Sequence, residues 1–177
     1  MDGLSTLPKS RWEQGEALTV SFVRCFTESL GLNLRRREVC RAAKSALESV
    51  GSVSWLDEGR VLILDDRELP MGEIATVLNK IDQRFERIAA RPLSARAVEH
   101  TLGITARERS RWTKDGRLAR AGTNLIRRGQ LIALSTYAVS EIARLTNEPE
   151  TIRVWRNADA RRVDLARRRD LTDREPT

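Results

Sequence analysis

Eight basic residues lie between Arg107 and Arg128, opposed only by Glu108 and Asp115. Charge at that density suits a polyanion, because each lysine or arginine that neutralises a phosphate releases condensed counterions. Spacing sharpens the chemistry. With Trp112 inward on a helix, Arg107, Ser110, Arg111 and Lys114 form a stripe on one exposed side. The planar fork of arginine can bond guanine O6 and N7 together, a contact of about 1–3 kcal/mol in discrimination. Lys114 and Arg117, near the helix end, are placed to meet phosphate and set register. Arg127-Arg128-Gly129 has the composition of a hairpin tip, with arginines that reach the DNA backbone or a narrow minor groove. Each arginine alone is as readily a solvated charge; the set favours DNA.

Other chemistry finds little support. His100 is the sole histidine and reads as a surface or capping residue. Asp65 and Asp66 are adjacent after a β-rich run, so they point to different sides and make a poor dyad. There is no glycine-rich phosphate loop, nucleophile elbow or metal-ligand spacing. Tyr137 lacks the His/Arg constellation of a tyrosine recombinase and is expected to pack at the start of a helix. Cys25 and Cys40 are too few for a disulfide framework, and free buried thiols are expected. No catalytic residue, metal or cofactor is expected, and no enzymatic activity. The longest uncharged stretch, Gly129 to Ser140, has 12 residues, short of the roughly 20 that span a bilayer. A soluble, cytoplasmic, nucleoid-associated protein with no membrane contact is the expectation.

The elements that must position the basic stripe are legible from Leu93 onward. Ser94 can cap a helix through Leu102, with Ala95, Val98 and Leu102 on one face, and Gly103-Ile104 supplies a turn. Thr105-Ala-Arg-Glu108 is a capping box for a second helix, which Gly116 stops. Two short helices about a glycine-containing turn make a helix-turn-helix. The stretch LGITARERSRWTKDGRL, residues 102–118, resembles the MerR-like and phage-excisionase winged helix-turn-helix families, which carry a similar Leu-Gly-(Val/Ile)-(Ser/Thr), an inward Trp and an acidic-Gly-Arg-(Leu/Ile) close. The resemblance implies a wing in TNLIRRGQLIAL and a third helix in STYAVSEIARL, and covers residues 93–146. Arg109 departs from it, standing where these families place a core Leu or Ile. Its alkyl stem is expected to cover apolar surface while the guanidinium reaches solvent; the alternative is a rotated helix.

The first half of the chain has a different character. Residues 1–90 hold 13 Lys+Arg and 14 Asp+Glu, net −1, whereas residues 91–177 hold 19 and 11, net +8. DNA binding is therefore expected from residues 93–146 and not from 1–90. Residues 1–13 read as a mobile leader. A helix is expected over Gln14 to Leu30, with Leu18, Phe22, Cys25 and Phe26 inward and Gly31 as its stop. A second spans Arg35 to Ser49, with Val39, Ala42, Ala43, Ala46 and Leu47 inward. Ser52 to Leu56 and Arg60 to Leu64 flank Asp57-Glu58-Gly59 as a hairpin. Pro70 opens a third helix, in which Ile74, Leu78, Ile81, Phe85 and Ile88 follow a heptad pattern. That seam either packs against its own domain or makes a homodimer. Arg91-Pro92 interrupts the helical pattern and marks a domain boundary.

The predicted fold class is mainly α with short β-hairpins: an N-terminal helical domain with one hairpin, residues 14–90, then a C-terminal winged helix-turn-helix, residues 93–146. A basic helix or tail, residues 147–177, contains Ile152, Trp155 and Arg167-Arg168-Arg169. The function expected is that of a sequence-specific double-stranded DNA-binding protein acting as a transcriptional regulator, whose N-terminal domain dimerises or meets a partner such as the transcription machinery. The alternatives are an excisionase-like recombination directionality factor that bends DNA for a recombinase, and a protein- or RNA-interaction module with a basic surface.

Overall fold

An apolar heptad and several β-rich runs organise the first half of the chain. The computed structural model describes residues 11–13, 18–57, 59–64 and 71–172, mainly helical with small antiparallel sheets. The chain divides into two compact units, Met1–Leu93 and Ser94–Thr177. Pro70, Asp65, Asp66 and most of the expected leader lie outside the described residues.

The first unit contains strands β1 (Arg11–Glu13) and β2 (Leu18–Ser21), helices α1 (Val23–Glu28), α2 (Leu30–Asn33) and α3 (Arg36–Leu47), strands β3 (Ser52–Asp57) and β4 (Arg60–Leu64), and helix α4 (Met71–Ala90). The β3–β4 hairpin forms as expected, Ser52 opposite Leu64, but it is half of a four-stranded antiparallel sheet in the order β1-β2-β4-β3. The helix expected over Gln14 to Leu30 is replaced by β2 and two short helices, and Arg11–Glu13 is strand rather than leader. Thr19 and Val20 stand opposite Leu62 and Val61; a ladder offered by a neighbouring strand outweighs a weak helical period. Gly31 is no stop signal either. It lies within α2, where an added Cβ would stand 2.5 Å from the carbonyl oxygen of Ala89 on α4.

Helix α4 carries the heptad seam, and all five of its residues are buried. Ile74, Leu78, Ile81, Phe85 and Ile88 join one core with Phe22, Phe26, Leu32, Val39 and Val61, and Phe85 meets Phe22 edge-on at 5.4 Å between ring centres. Burying each such side chain contributes about 1.5–3 kcal/mol. The seam therefore packs inside its own unit, the first of the two expectations, and leaves the homodimer reading without support. Cys25 belongs to the same core, and burial, with Asp82 adding to it, pushes its thiol up to about 11. Cys40, by contrast, is only half-buried.

Strand β5 (Leu93–Ser94) stands at the boundary. The second unit continues with α5 (Ala95–Leu102), α6 (Ala106–Lys114), β6 (Gly122–Arg128), β7 (Gln130–Tyr137), α7 (Val139–Asn147) and α8 (Pro149–Thr172), its sheet ordered β5-β7-β6. Each expected cap is present. Ser94 Oγ accepts the Ala97 amide, and Thr105 and Glu108 exchange both bonds of the capping box. Gly103 ends α5 at φ +60°, a left-handed conformation that side-chain-bearing residues resist. The β6–β7 hairpin is longer than expected: Tyr137 closes β7, fully buried, and the following helix starts only at Val139.

Candidate nucleic-acid interface

Helix α6 is short and polar, and its single large apolar residue fixes its rotation. Trp112 is 0% exposed and packs edge-on against Trp155 of α8 with 5.0 Å between ring centres. With that side inward, Arg107, Ser110, Arg111 and Lys114 all lie on exposed positions. Nearby in sequence, Arg127 is exposed on β6, opposite Leu131 on β7. The backbone of Arg128 completes β6, while its side chain lies outside the described part, as do those of Arg167, Arg168 and Arg169.

Arg109 turns inward with its charge rather than sending it to solvent. Its Nε donates to Glu99 Oε1 of α5 at 2.7 Å and its Nη1 to the Tyr137 hydroxyl at 3.0 Å. Thr113 Oγ1 stands 3.0 Å from the same hydroxyl. The side chain is only 17% exposed, so a charged bond replaces the apolar contact expected at this position and the helix is not rotated. Tyr137, expected merely to pack, joins α6 to the sheet through this network.

Arg117 corrects a second expectation. Rather than facing phosphate, its side chain is 20% exposed and bonded to Asp115 and to Asp159 of α8, each through Nη2, at 2.5 and 2.7 Å. Its guanidinium also lies 5.7 Å from the ring centre of Trp112 and 5.8 Å from that of Trp155. Two carboxylates and two rings leave it as an internal cross-link.

Asp159 is the hub of this region. Its side chain is 7% exposed; Oδ2 accepts Trp112 Nε1 at 2.8 Å and pairs with Arg111 Nη2 at 2.7 Å, while Oδ1 accepts Arg117. Burial alone raises a carboxyl, but the bonds from Trp112 and Arg117 hold Asp159 below its ordinary range. Arg111 therefore sits at the edge of the exposed face with one nitrogen engaged and its side chain 44% exposed. A turn earlier on α8, Arg156 donates to Glu108 Oε1 at 2.7 Å and to the Gly103 carbonyl at 2.8 Å. The Arg156 bond, with the capping-box bonds from Thr105, holds the Glu108 carboxyl at about 2. Helix α8 thus clamps both the turn before α6 and the inner side of α6.

Asp159, Arg156, Trp155 and Glu99 were not singled out as site residues in the sequence. The available signal was the row Ile152, Trp155, Arg156, Asp159, spaced by three, one and three, which places an aspartate in line with the apolar side of α8. No group of metal-ligating residues occurs among the described residues. No described helix is long and apolar enough to cross a membrane. No family model, curated protein or solved structure matches the chain.

Proposed function

We propose that residues 93–146 form a winged helix-turn-helix that binds double-stranded DNA sequence-specifically, and that the protein acts as a transcriptional regulator. The observation that carries this reading is the sorting of basic residues on and after α6. Arg109 and Arg117 are bound internally by carboxylates, whereas Arg107, Ser110 and Lys114 share the exposed side opposite buried Trp112, with Arg111 at its edge, one nitrogen held by Asp159. In the proposed complex α6 enters the major groove. Arg107 and Arg111 read base edges, Asp159 holding one nitrogen of Arg111 and so limiting its rotamers. Lys114 and Arg127 meet phosphates and set register.

Selection of bound duplexes from a random library by the full chain should enrich one site. On that site Arg107→Ala should cost about 1–3 kcal/mol and relax preference at one base position. Equal losses on selected and random duplexes would reassign Arg107 to phosphate, and failure to retain any duplex at low salt would overturn the reading. One observation favours the architectural alternative: Leu131, beside the hairpin tip, is 68% exposed, and apolar wedges of this kind unstack base steps and bend DNA. Strong bending of the selected duplex that is lost in Leu131→Ser would favour a directionality factor over a regulator.

A further inference from the structure

The first unit holds 14 basic and 14 acidic residues in sequence, yet its two long helices gather arginines on the surface. Rotating α4 by about 100° per residue places Lys80, Arg84 and Arg87 on one flank of the buried heptad stripe and Asp82 and Glu86 on the other, and Arg91 follows directly after the helix ends. Glu73 shares the basic flank, about three turns before Arg84. Arg84, Arg87 and Arg91 line one shallow open cavity with Ile88. Arg91 in turn pairs with Glu38 of α3. The Glu38 carboxyl lies below its ordinary range chiefly through that bond, with Arg35 and Arg41 adding to the effect. Arg35 also donates to the carbonyls of Arg91 and Pro92, at 2.8 and 3.0 Å, tying the start of α3 to the end of α4. On the other side of Arg41, a second open cavity is lined by Arg36, Arg37, Cys40 and Arg41.

The shared members join these pieces. Arg41 belongs to one cavity and to the surroundings of Glu38; Arg91 belongs to Glu38 and to the other cavity. The result is a band running Arg37, Arg41, Arg91, Arg87, Arg84, with Glu38 as the carboxylate set among them. These five cations are arginines, whose planar fork suits the paired oxygens of a phosphodiester better than a point charge, and Lys80, one turn before Arg84, extends the band along α4. Neighbours three or four apart on α4 stand about 5–6 Å apart at Cβ, which lets successive side chains meet successive groups of a linear polyanion.

We infer that the α3–α4 face of the first unit is a second nucleic-acid contact, which engages the phosphate backbone without reading bases. The inference is independent of the reading of α6. Arg84 and Arg87 are exposed and outside the core, so they can be changed without emptying it.

The test measures binding of the full chain to a labelled random-sequence duplex across a salt series, for the wild type, for Arg84→Gln/Arg87→Gln, and for Arg107→Gln/Lys114→Gln. The α4 pair is expected to lower the steepness of the log affinity against log salt plot by about two, roughly one per lost contact. Arg84→Lys/Arg87→Lys, which keeps the charge, should restore most of it. If the α4 pair also binds normally at every salt concentration, the inference is overturned. A loss confined to poly-glutamate, with duplex binding intact, would overturn the nucleic-acid assignment in favour of an acidic protein partner. Should the α6 pair be silent while the α4 pair counts, the proposed role of α6 falls and the α3–α4 contact stands. A wild type that retains no duplex overturns both.

Discussion

Helices α4 and α6 are both amphipathic, and they hold their places by opposite means. Helix α4 is fastened by five apolar side chains in one continuous core. Helix α6 has one buried aromatic residue, and the rest of its inner side is arginine, threonine and their partners on α5, β7 and α8. Apolar burial is non-directional and tolerates change of similar volume. A charged network holds only while each donor keeps its acceptor, and it fails when one partner is removed. The exposed stripe on α6 is therefore oriented by bonds rather than by area.

The sharpest break of this comparison is one substitution in each unit. Leu78→Lys puts an unpaired charge into the first core, and a cost of about 3–5 kcal/mol is expected. Trp112→Ala removes the buried aromatic of α6 at a similar cost of about 3–5 kcal/mol and also takes a donor from Asp159. Hydrogen-exchange mass spectrometry should show each variant losing protection in its own unit. A folded Leu78→Lys that merely sediments more slowly than the wild type would restore the dimer seam.

Smaller effects separate area from bonding. Gly31→Ala drives a methyl into the Ala89 backbone, an overpacking cost of about 1–3 kcal/mol that no side-chain rotation relieves. Asp159→Ala leaves Trp112 Nε1 and Arg117 short of an acceptor, a loss of about 1–3 kcal/mol. Paired with Arg117→Ala, it should give a double variant less destabilised than the sum of the two single ones, because both delete one bond. Additive losses would make Asp159 a passive neighbour.

The mildest effect is a pH dependence that Glu108 contributes in the second unit. Glu108 is held at about 2 in the fold against an ordinary 4.5. The unfolded chain then binds more protons than the folded one between those values. Its contribution is complete above about pH 4.5 and is lost as the pH falls through about 2. Urea unfolding followed across this range should show Glu108→Gln with a flatter acid limb than the wild type. An unchanged limb would mean that Arg156 and Glu108 do not meet in solution.

Local chemistry in the second half was legible because it is local. Ser94, Gly103, Thr105, Glu108 and Gly129 act on backbone groups within a few residues, so caps and turns fell where the residue types placed them. Trp112 likewise set which side of α6 is inward. In the first half, the hairpin and the heptad helix were legible from period alone. The stretch from Gln14 to Gly31 was not, because its strand and its close helix approach depend on β4 and Ala89, residues far along the chain. The sequence by itself determined the order of elements around α6, the inward Trp112 and the basic stripe opposite it. Only the tertiary structure decided that the heptad seam is internal core, that Arg109 and Arg117 are cross-links, and that Asp159 holds Arg111. Apolar residues and arginines have several satisfactory partners each, and which one they take depends on what distant segments bring within bonding reach.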